Sequence, residues 1–384
     1  MNFSWPQDYL AYQEEVKQFA QNELNDDIIY RDENSIFAEN LWQKCARFGI
    51  LGLAAPKEFG GTFDEVILSR AVLAMQGLGY GCLDNGLALS LNAQMWAVMM
   101  TITKFGTTEQ KQRFLPNLAN GTWKGCHALT EVESGSDVFN MQTTAELVGN
   151  HYVLNGEKIY LTLAPISDIA VVFANTNPDL GKWGVSAFIV EKSAGGFHAS
   201  ASQNKMGLRT APFGKIRFEN CKVPIENRLG KEGAGLSISN HSLEYDRCCI
   251  MAGHIGALER QIEEAVAFAN SRKQFGETIG SFQAVSHRIA EMKVRVESAK
   301  LMLYKLAWLK ENNQQAMLEA AMLKLQLSET AVENSLDFIR IHGGKGYVSE
   351  FGIERHLRDA VGGVIYAGTS DIQKNIIAKF LGVA

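Results

Sequence analysis

Only six cysteines and seven prolines are spread over 384 residues. Cys45, Cys82, Cys126, Cys221, Cys248 and Cys249 show no CxxC spacing and fall far short of a disulfide scaffold, so a reducing, cytoplasmic setting is expected. Long basic runs are missing too, and a formal charge of -5 with 21% charged residues argues against nucleic acid as a partner. The first residues, with Trp5, Pro6, Asp8, Glu14 and Glu15, lack the basic start and apolar centre of an export signal. An uncharged stretch runs between Asp84 and Lys104, but Ser90, Asn92 and Gln94 interrupt it, which predicts a buried helix and no membrane span. No GxGxxG follows a strand pattern, no glycine-rich loop ends in Gly-Lys-Ser or Gly-Lys-Thr, and HExxH is absent. A dinucleotide would therefore have to bind in neither the Rossmann nor the P-loop manner, and no metal site is expected.

What is present falls into three parts, predicted at 1–119, 120–225 and 226–384. In the first, Tyr9, Tyr12, Val16 and Phe19 recur at threes and fours, as helices require. Ala55-Pro56, Gly60-Gly61 and Gly106-Thr107-Thr108 break the pattern, and Leu115-Pro116 is expected to close or kink the last helix. Short apolar runs follow in the second part, at 168–174, 185–190 and 215–218, with Gly and Asn between them. Without alternating βαβ units they predict a small antiparallel β domain. After Gly233-Ala234-Gly235 the chain turns helical again. Phe282, Val285, Ile289, Met292, Val296, Ala299, Leu303 and Leu306 keep helical spacing over many turns, with Ser281 placed to cap them. Amphipathic helices of that length pack into bundles, which often continue across a subunit interface. The fold class expected is thus mainly α with a central antiparallel β domain and a C-terminal four-helix bundle.

The stretch 126–162 combines two features. Leu129-Thr130-Glu131 runs into Ser134-Gly135-Ser136-Asp137, whose small and hydroxyl residues leave backbone N–H groups free to meet an anion such as a pyrophosphate. Gly149-Asn150 and Asn155-Gly156 then read as two tight turns between strand-like runs.

The order of the three parts, with the residues at their joints, resembles the acyl-CoA dehydrogenase family over nearly the whole chain. The resemblance rests on Leu129-Thr130-Glu131 with Gly135-Ser136-Asp137, on Asn155-Gly156-Glu157-Lys158-Ile159-Tyr160-Leu161-Thr162, and on Met206-Gly207-Leu208-Arg209. It continues through Arg272-Lys273-Gln274-Phe275-Gly276, His342-Gly343-Gly344-Lys345-Gly346-Tyr347, Leu357-Arg358-Asp359 and Gly368-Thr369-Ser370-Asp371-Ile372-Gln373. It implies FAD between the β domain and the bundle. His127, Leu129, Thr130, Gly135 and Ser136 would line the flavin and its pyrophosphate, Tyr160 and Thr162 would lie against the ring system, and Thr369 and Asp371 would contribute from the last motif. Arg272, Gln274, Phe275, Gln283, Arg340 and Gly344 match positions that in this family reach the cofactor of a neighbouring subunit, as a homotetramer would require. One departure is local: Val132-Glu133-Ser134 stands where the family usually has Pro-Gly-Ala.

Family members oxidise an acyl thioester by removing its α proton with a carboxylate while hydride passes to the flavin. Many carry that carboxylate as a Glu before Gly-Thr, where this chain has Ala367, and a methyl group accepts no proton. Other branches place it on the first helix of the bundle, directly before an Arg. Here that segment reads Leu243-Glu244-Tyr245-Asp246-Arg247. Positions two apart on a helix point about 200° from each other, so Glu244 and Asp246 cannot both face the flavin. Register favours Asp246 and side-chain length favours Glu244, while Arg247 would hold the carboxylate ionised or order the helix start. His127 is either an imidazole that promotes reaction with oxygen or a satisfied, half-buried histidine, and His342 reads as structural.

Asn140-Met141-Gln142, Ala164-Pro165-Ile166, Asn175-Thr176-Asn177-Pro178-Asp179 and Gly184-Val185-Ser186-Ala187-Phe188 look like the branch that oxidises prolyl groups on a peptidyl or acyl carrier protein. The resemblance then implies a prolyl-phosphopantetheine substrate and oxygen or an electron-transfer flavoprotein as acceptor. A short branched-chain acyl-CoA dehydrogenase and a catalytically degenerate scaffold are the alternatives.

Overall fold

The computed structural model describes residues 4–138 and 140–383. Helices α1 (Gln7–Glu23), α2 (Ile28–Glu33), α3 (Glu39–Phe48), α4 (Leu68–Gly81) and α5 (Asn85–Asn92) come first. A π-helical stretch (Ala93–Met99) joins α5 to α6 (Met100–Phe105), and α7 (Thr108–Ala119) follows. The uncharged stretch is this buried rod, started by Asp84, whose carboxylate accepts from Leu87 N at 2.9 Å. Among the described residues no helix is long and apolar enough to cross a membrane. Thr107 and Gln110 form a reciprocal capping box at the start of α7. Pro116 lies inside that helix, which ends only at Ala119.

Strands β1 (Gly125–Ala128), β2 (Thr144–Val148), β3 (His151–Thr162), β4 (Ile169–Asn175), β5 (Val185–Glu191), β6 (Phe197–Ala199), β7 (Phe213–Pro224) and β8 (Arg228–Leu229) build one sheet in the order β6-β7-β3-β2-β4-β5-β8, with β1 beside β4. Most neighbours are antiparallel, but β1 pairs parallel to β4 and β2 meets it in parallel at Thr144 and Asn175. Gly149-Asn150 is the expected two-residue turn, joining Val148 to His151. Asn155-Gly156 is not a turn. It lies within β3 at a shift in register against β7, and Gly156 is required there because its φ is +145° and a Cβ would stand 2.4 Å from Thr143 Oγ1.

The C-terminal part consists of α8 (Gly235–Ser271), the short hairpin β9 (Lys273–Gln274) and β10 (Glu277–Thr278), α9 (Gln283–Glu311), α10 (Met317–His342), α11 (Gly344–Tyr347), α12 (Ile353–Gly363) and α13 (Ser370–Phe380). The bundle forms because α8, α9 and α10 pack on one another, with α12 and α13 against α10. Met292, Val296, Ala299, Leu303 and Leu306 are buried along α9, as their spacing requires. Ser281 does not cap it. The helix starts at Gln283 with Phe282 in the cap position, and Ser281 Oγ donates to Thr278 O at 2.7 Å.

Glycine lets α4 sit between α1 and α8 nearly backbone to backbone. A Cβ on Gly77 or Gly81 would stand 2.4 Å from a carbonyl oxygen of α1, on Gly79 1.9 Å from Gly253 O, and on Gly256 2.0 Å from Gln76 O. Gly253 itself has space, its nearest atom being Met75 O at 3.8 Å. Gly79→Ala is therefore expected to destabilise by about 1–3 kcal/mol or more through overpacking, whereas Gly253→Ala should stabilise by about 0.5–1 kcal/mol through helix propensity. Denaturant unfolding of the two variants checks the opposite signs.

Candidate active site

On the sheet side, β1 places His127 and leads into Leu129 and Thr130. Thr130 O accepts from Ile159 N at 2.9 Å, which brings the Thr130 segment against the part of β3 that carries Tyr160 and Thr162. Period two would turn Tyr160 inward with Tyr152, Leu154 and Lys158. Instead it takes a left-handed φ of 61° in the second bulge of β3, stays 62% exposed and stacks on Phe213 with ring centroids 6.1 Å apart. A flat aromatic surface results, open for a planar group to cover.

The loop after Thr130 is held from beneath. Glu131 accepts from Gln142 N at 2.6 Å and Thr143 N at 3.0 Å, and pairs at 2.8 Å with Lys158, whose Nζ also donates to Leu129 O at 3.0 Å. Both side chains are buried. Burial alone would raise the Glu131 carboxyl, but Lys158 and the hydrogen bonds outweigh it and the net shift is downward. For Lys158 burial prevails over the opposing pull of Glu131 and lowers it to about 8. Gly135 and Ser136 are exposed, and nothing lies within 4 Å of where a Gly135 Cβ would stand. The loop backbone is therefore open on that side. The imidazole of His127 is neutral at physiological pH, lowered to about 4 by burial and then by Lys158, and its Nε2 lies 3.4 Å from Ser242 Oγ on α8.

A second set of residues lies apart from this one, on exposed parts of the helical region. Gln274, Phe275, Gln283, Arg340 and Gly344 are exposed, as is Arg272 at the end of α8. Phe275 and Gly276 form the tip of the β9–β10 hairpin, with φ of 54° and 85°. This turn holds Phe275 96% exposed. The hydrogen bonds of the set stay local, from Gln274 to Lys273 O at 2.6 Å and from Arg340 to Asp337 at 3.2 Å. Thr369 caps α13, accepting from Ile372 N at 3.3 Å, and Asp371 is exposed beside Lys374 at 3.2 Å.

Between these regions α8 separates the two candidate carboxylates as a helix must. Glu244 turns to α9 and pairs with Lys310 at 2.6 Å, and that Nζ also lies 4.7 Å from the Tyr245 ring centre. Asp246 points into the core. It is 8% exposed, its Oδ1 has no partner among the described residues, and burial pushes its carboxyl up to about 7 against the opposing pull of Arg247. Arg247 is buried and donates from Nε to Ala367 O at 3.0 Å. Ala367 takes a left-handed φ of 53°, a conformation disfavoured for alanine. The guanidinium thus spans from the helix carrying Asp246 to the segment where many family members hold their base.

Sequence reasoning missed several groups here. The Glu131–Lys158 pair was legible from Lys158 falling in phase with Tyr152 and Leu154 on the inward face of β3. Lys324, fully buried on α10 with no partner for Nζ among the described residues, is lowered to about 8 by burial and then by Arg247. His254 Nε2 and Tyr366 Oη lie 2.7 Å apart across α8 and the segment before Ala367. Nothing in their spacing announced that contact. Among the described residues no cluster of His, Cys, Asp and Glu could hold a metal.

A helical layer, a mixed sheet and a helical bundle follow one another along the chain, with the buried carboxylate of Asp246 on the bundle's first helix. The chain belongs to the acyl-CoA dehydrogenase family: it matches the N-terminal domain over residues 6–122, the middle domain over 126–221 and the C-terminal domain over 233–382. It is 42% identical to the L-prolyl-[peptidyl-carrier protein] dehydrogenase of Pseudomonas fluorescens, over 91% of this chain and 92% of that one. Among solved structures it is similar to the prolyl acyl carrier protein oxidase AnaB, with 47% identity and a TM-score of 0.96 over 99% of this chain and 100% of that one. PigA, solved with FAD and proline, is 38% identical with a TM-score of 0.96 over the full length of both chains.

Two outcomes follow from the geometry. Glu131→Gln or Lys158→Met alone should each cost about 3–5 kcal/mol by stranding a buried charge, while the double change should recover most of that loss; a double-mutant cycle of unfolding free energies checks it. For Asp246 the native carboxyl holds its proton up to about 7, whereas the unfolded one releases it near pH 4. The native state binds more protons in that window, so its stability falls as pH rises from about 4 to 7. Asp246→Asn should accordingly melt higher than the wild type at pH 8, with the difference shrinking towards pH 4.

Proposed function

We propose that this protein oxidises an L-prolyl group, tethered as a thioester to a peptidyl or acyl carrier protein, to the pyrroline thioester. The observation that carries the reading is Asp246, a buried carboxylate with an unpartnered oxygen on the bundle's first helix, in a chain whose relatives include prolyl-carrier dehydrogenases. Asp246 is the base, and Glu244, engaged by Lys310, is not. Arg247 acts as a positioning residue, tying α8 to Ala367 while leaving Asp246 Oδ1 bare.

FAD supplies the hydride acceptor. The open ring of Tyr160, the polar side chains of Thr130 and Thr162 and the neutral His127 suit the face and edge of a flavin, and the open loop at Gly135 and Ser136 suits its pyrophosphate. Thr369 and Asp371 stand at the start of α13 for the same cofactor. The exposed set of Arg272, Gln274, Phe275, Gln283, Arg340 and Gly344 is available to reach the cofactor of a second copy, as the homotetramer of this reading requires. Within this reading Asp246 removes the proton α to the thioester, and the oxidised ring settles as an imine. Oxygen or an electron-transfer flavoprotein then takes the electrons, and six buried, unpaired cysteines support a cytoplasmic setting.

Anaerobic mixing with prolyl-loaded carrier should bleach the flavin absorbance, at a rate that rises with pH through about 7 as Asp246 loses its proton. Asp246→Asn should slow the bleaching by about 10²–10⁴-fold, as loss of a general base does, while Glu244→Gln should stay far closer to the wild type. Bleaching by isovaleryl-CoA and not by the prolyl carrier would return the protein to branched-chain acyl-CoA oxidation.

A further inference from the structure

The first turns of α9 lie antiparallel beside the last turns of α10, as the hydrogen bonds from Arg288 to Asp337 and from Asn334 to Met292 O show. At this end of the pair three arginines converge on one carboxylate. Asp337, on α10, is 4% exposed and accepts from Arg295 Nη1 at 2.9 Å on Oδ2 and, on Oδ1, from Arg288 Nη1 at 2.6 Å and Arg340 Nη1 at 3.2 Å. Burial alone would raise this carboxyl, but the hydrogen bonds from the arginines outweigh it and the net shift is downward, so Asp337 stays ionised.

The three arginines are not equivalent. Arg295 is committed to the fold: it also donates to Asn334 Oδ1 at 3.1 Å and pairs with Glu333 at 3.1 Å and Glu291 at 3.5 Å. Arg288 and Arg340 have no polar partner among the described residues besides Asp337 Oδ1, and each uses one nitrogen for it. Their side chains are 32% and 54% exposed, which leaves the other N–H groups of both forks available. Two guanidinium groups are thus gathered on a single oxygen with one negative charge between them, because the other two carboxylates lie on Arg295. Like charges repel unless they share a counter-ion. Held by that shared oxygen, the two forks lose little freedom on meeting a further anion.

Gln283 starts α9 at this same end, and Arg340 lies in the last turn of α10 with Gly344 just beyond. We propose that Arg288 is a further cofactor-binding residue, forming with Arg340 a two-pronged clamp for the AMP half of the FAD held by a second copy, and that Asp337 is the positioning residue that sets this clamp. The inference rests on the reading that the exposed set meets a second copy's cofactor. Guanidinium forks suit that half of the molecule, since they meet phosphate oxygens two at a time and their planes stack on an aromatic base. Nothing lies within 4 Å of where a Cβ of Gly343 or Gly344 would stand, so the adjoining surface is open to a flat group.

The test releases FAD from the holoenzyme and titrates it back into wild type and Arg288→Met, with flavin fluorescence reading affinity and light scattering reading assembly. Arg288→Met should weaken FAD binding by about tenfold, the scale of a charge-assisted hydrogen bond, with the oligomer unchanged. Glu333→Gln loosens the same network on its Arg295 side and should hold FAD as the wild type does. Arg288→Gln, which keeps an amide beside Asp337, carries the same expectation as Arg288→Met should the latter fail to fold, as judged by melting. A loss of less than about threefold in a folded Arg288 variant, an equal loss in Glu333→Gln, or a loss that comes only with dissociation of the oligomer overturns the proposal. A wild type that holds FAD as a monomer would remove the second-copy reading itself, whereas an assembled wild type with an indifferent Arg288 removes the clamp alone.

Discussion

A carboxylate kept out of water without a hydrogen-bonding partner for one of its oxygens is the constraint on which the rest of the molecule turns. Asp246 sits near the first third of a 37-residue helix, buried, beside an arginine whose Nε is committed to a carbonyl elsewhere. Such an arrangement is unfavourable by itself. It persists because α8 is clasped by α4, α9 and α10, so the helix cannot roll to bring the side chain to solvent. Glu244, two residues earlier, shows what the same chemistry does when left to relax: it finds Lys310.

The clasp is made by the absence of side chains as much as by their presence. Glycines on α4 and α8 let carbonyls of one helix approach the Cα atoms of the next, and at those distances a single methyl has nowhere to go. This close contact fixes α8 against α4, and with α8 the positions of Asp246 and of His254, which pairs with Tyr366. On the sheet, strain serves a similar end, since the left-handed turn at Tyr160 places an aromatic face outward where the strand's period would have hidden it.

How much of this could be read from the chain depends on whether a feature is periodic. The helical spacing along α9, the apolar runs of β4 and β5 and the Gly149-Asn150 turn repeat local rules, and each appears where those rules put it. Asn155-Gly156 and Ser281 misled because the same residues that mark turns and caps also serve bulges and short 3₁₀ segments, and the choice between them is made by neighbours such as Thr143 that lie elsewhere in the fold. For the site, the motif strings named segments that the fold places at the ends of β1 and β3 and at the start of α13, and the missing carboxylate at Ala367 directed attention to α8. The orientation of Glu244 against Asp246, the choice of Glu131 as the partner of Lys158 and the His254–Tyr366 contact depend on tertiary packing, which no spacing along one helix or strand encodes.

The π-helical stretch between α5 and α6 has one further consequence. Within it, Gln94 accepts from Gly125 N at 2.8 Å and donates to Leu118 O at 2.8 Å and Trp123 O at 3.2 Å, so one amide fastens the helical layer to the first residue of the strand that carries His127. A π turn holds more residues than an α turn over the same path. Removing one residue from the α-helical part of the rod, at α5, would rotate everything beyond it by about 100° and carry that fastening out of reach, while ordinary substitutions leave the phase untouched. The alignment of the two layers is therefore an inheritance of chain length: it tolerates drift in side-chain identity along the rod and is intolerant of a single deletion.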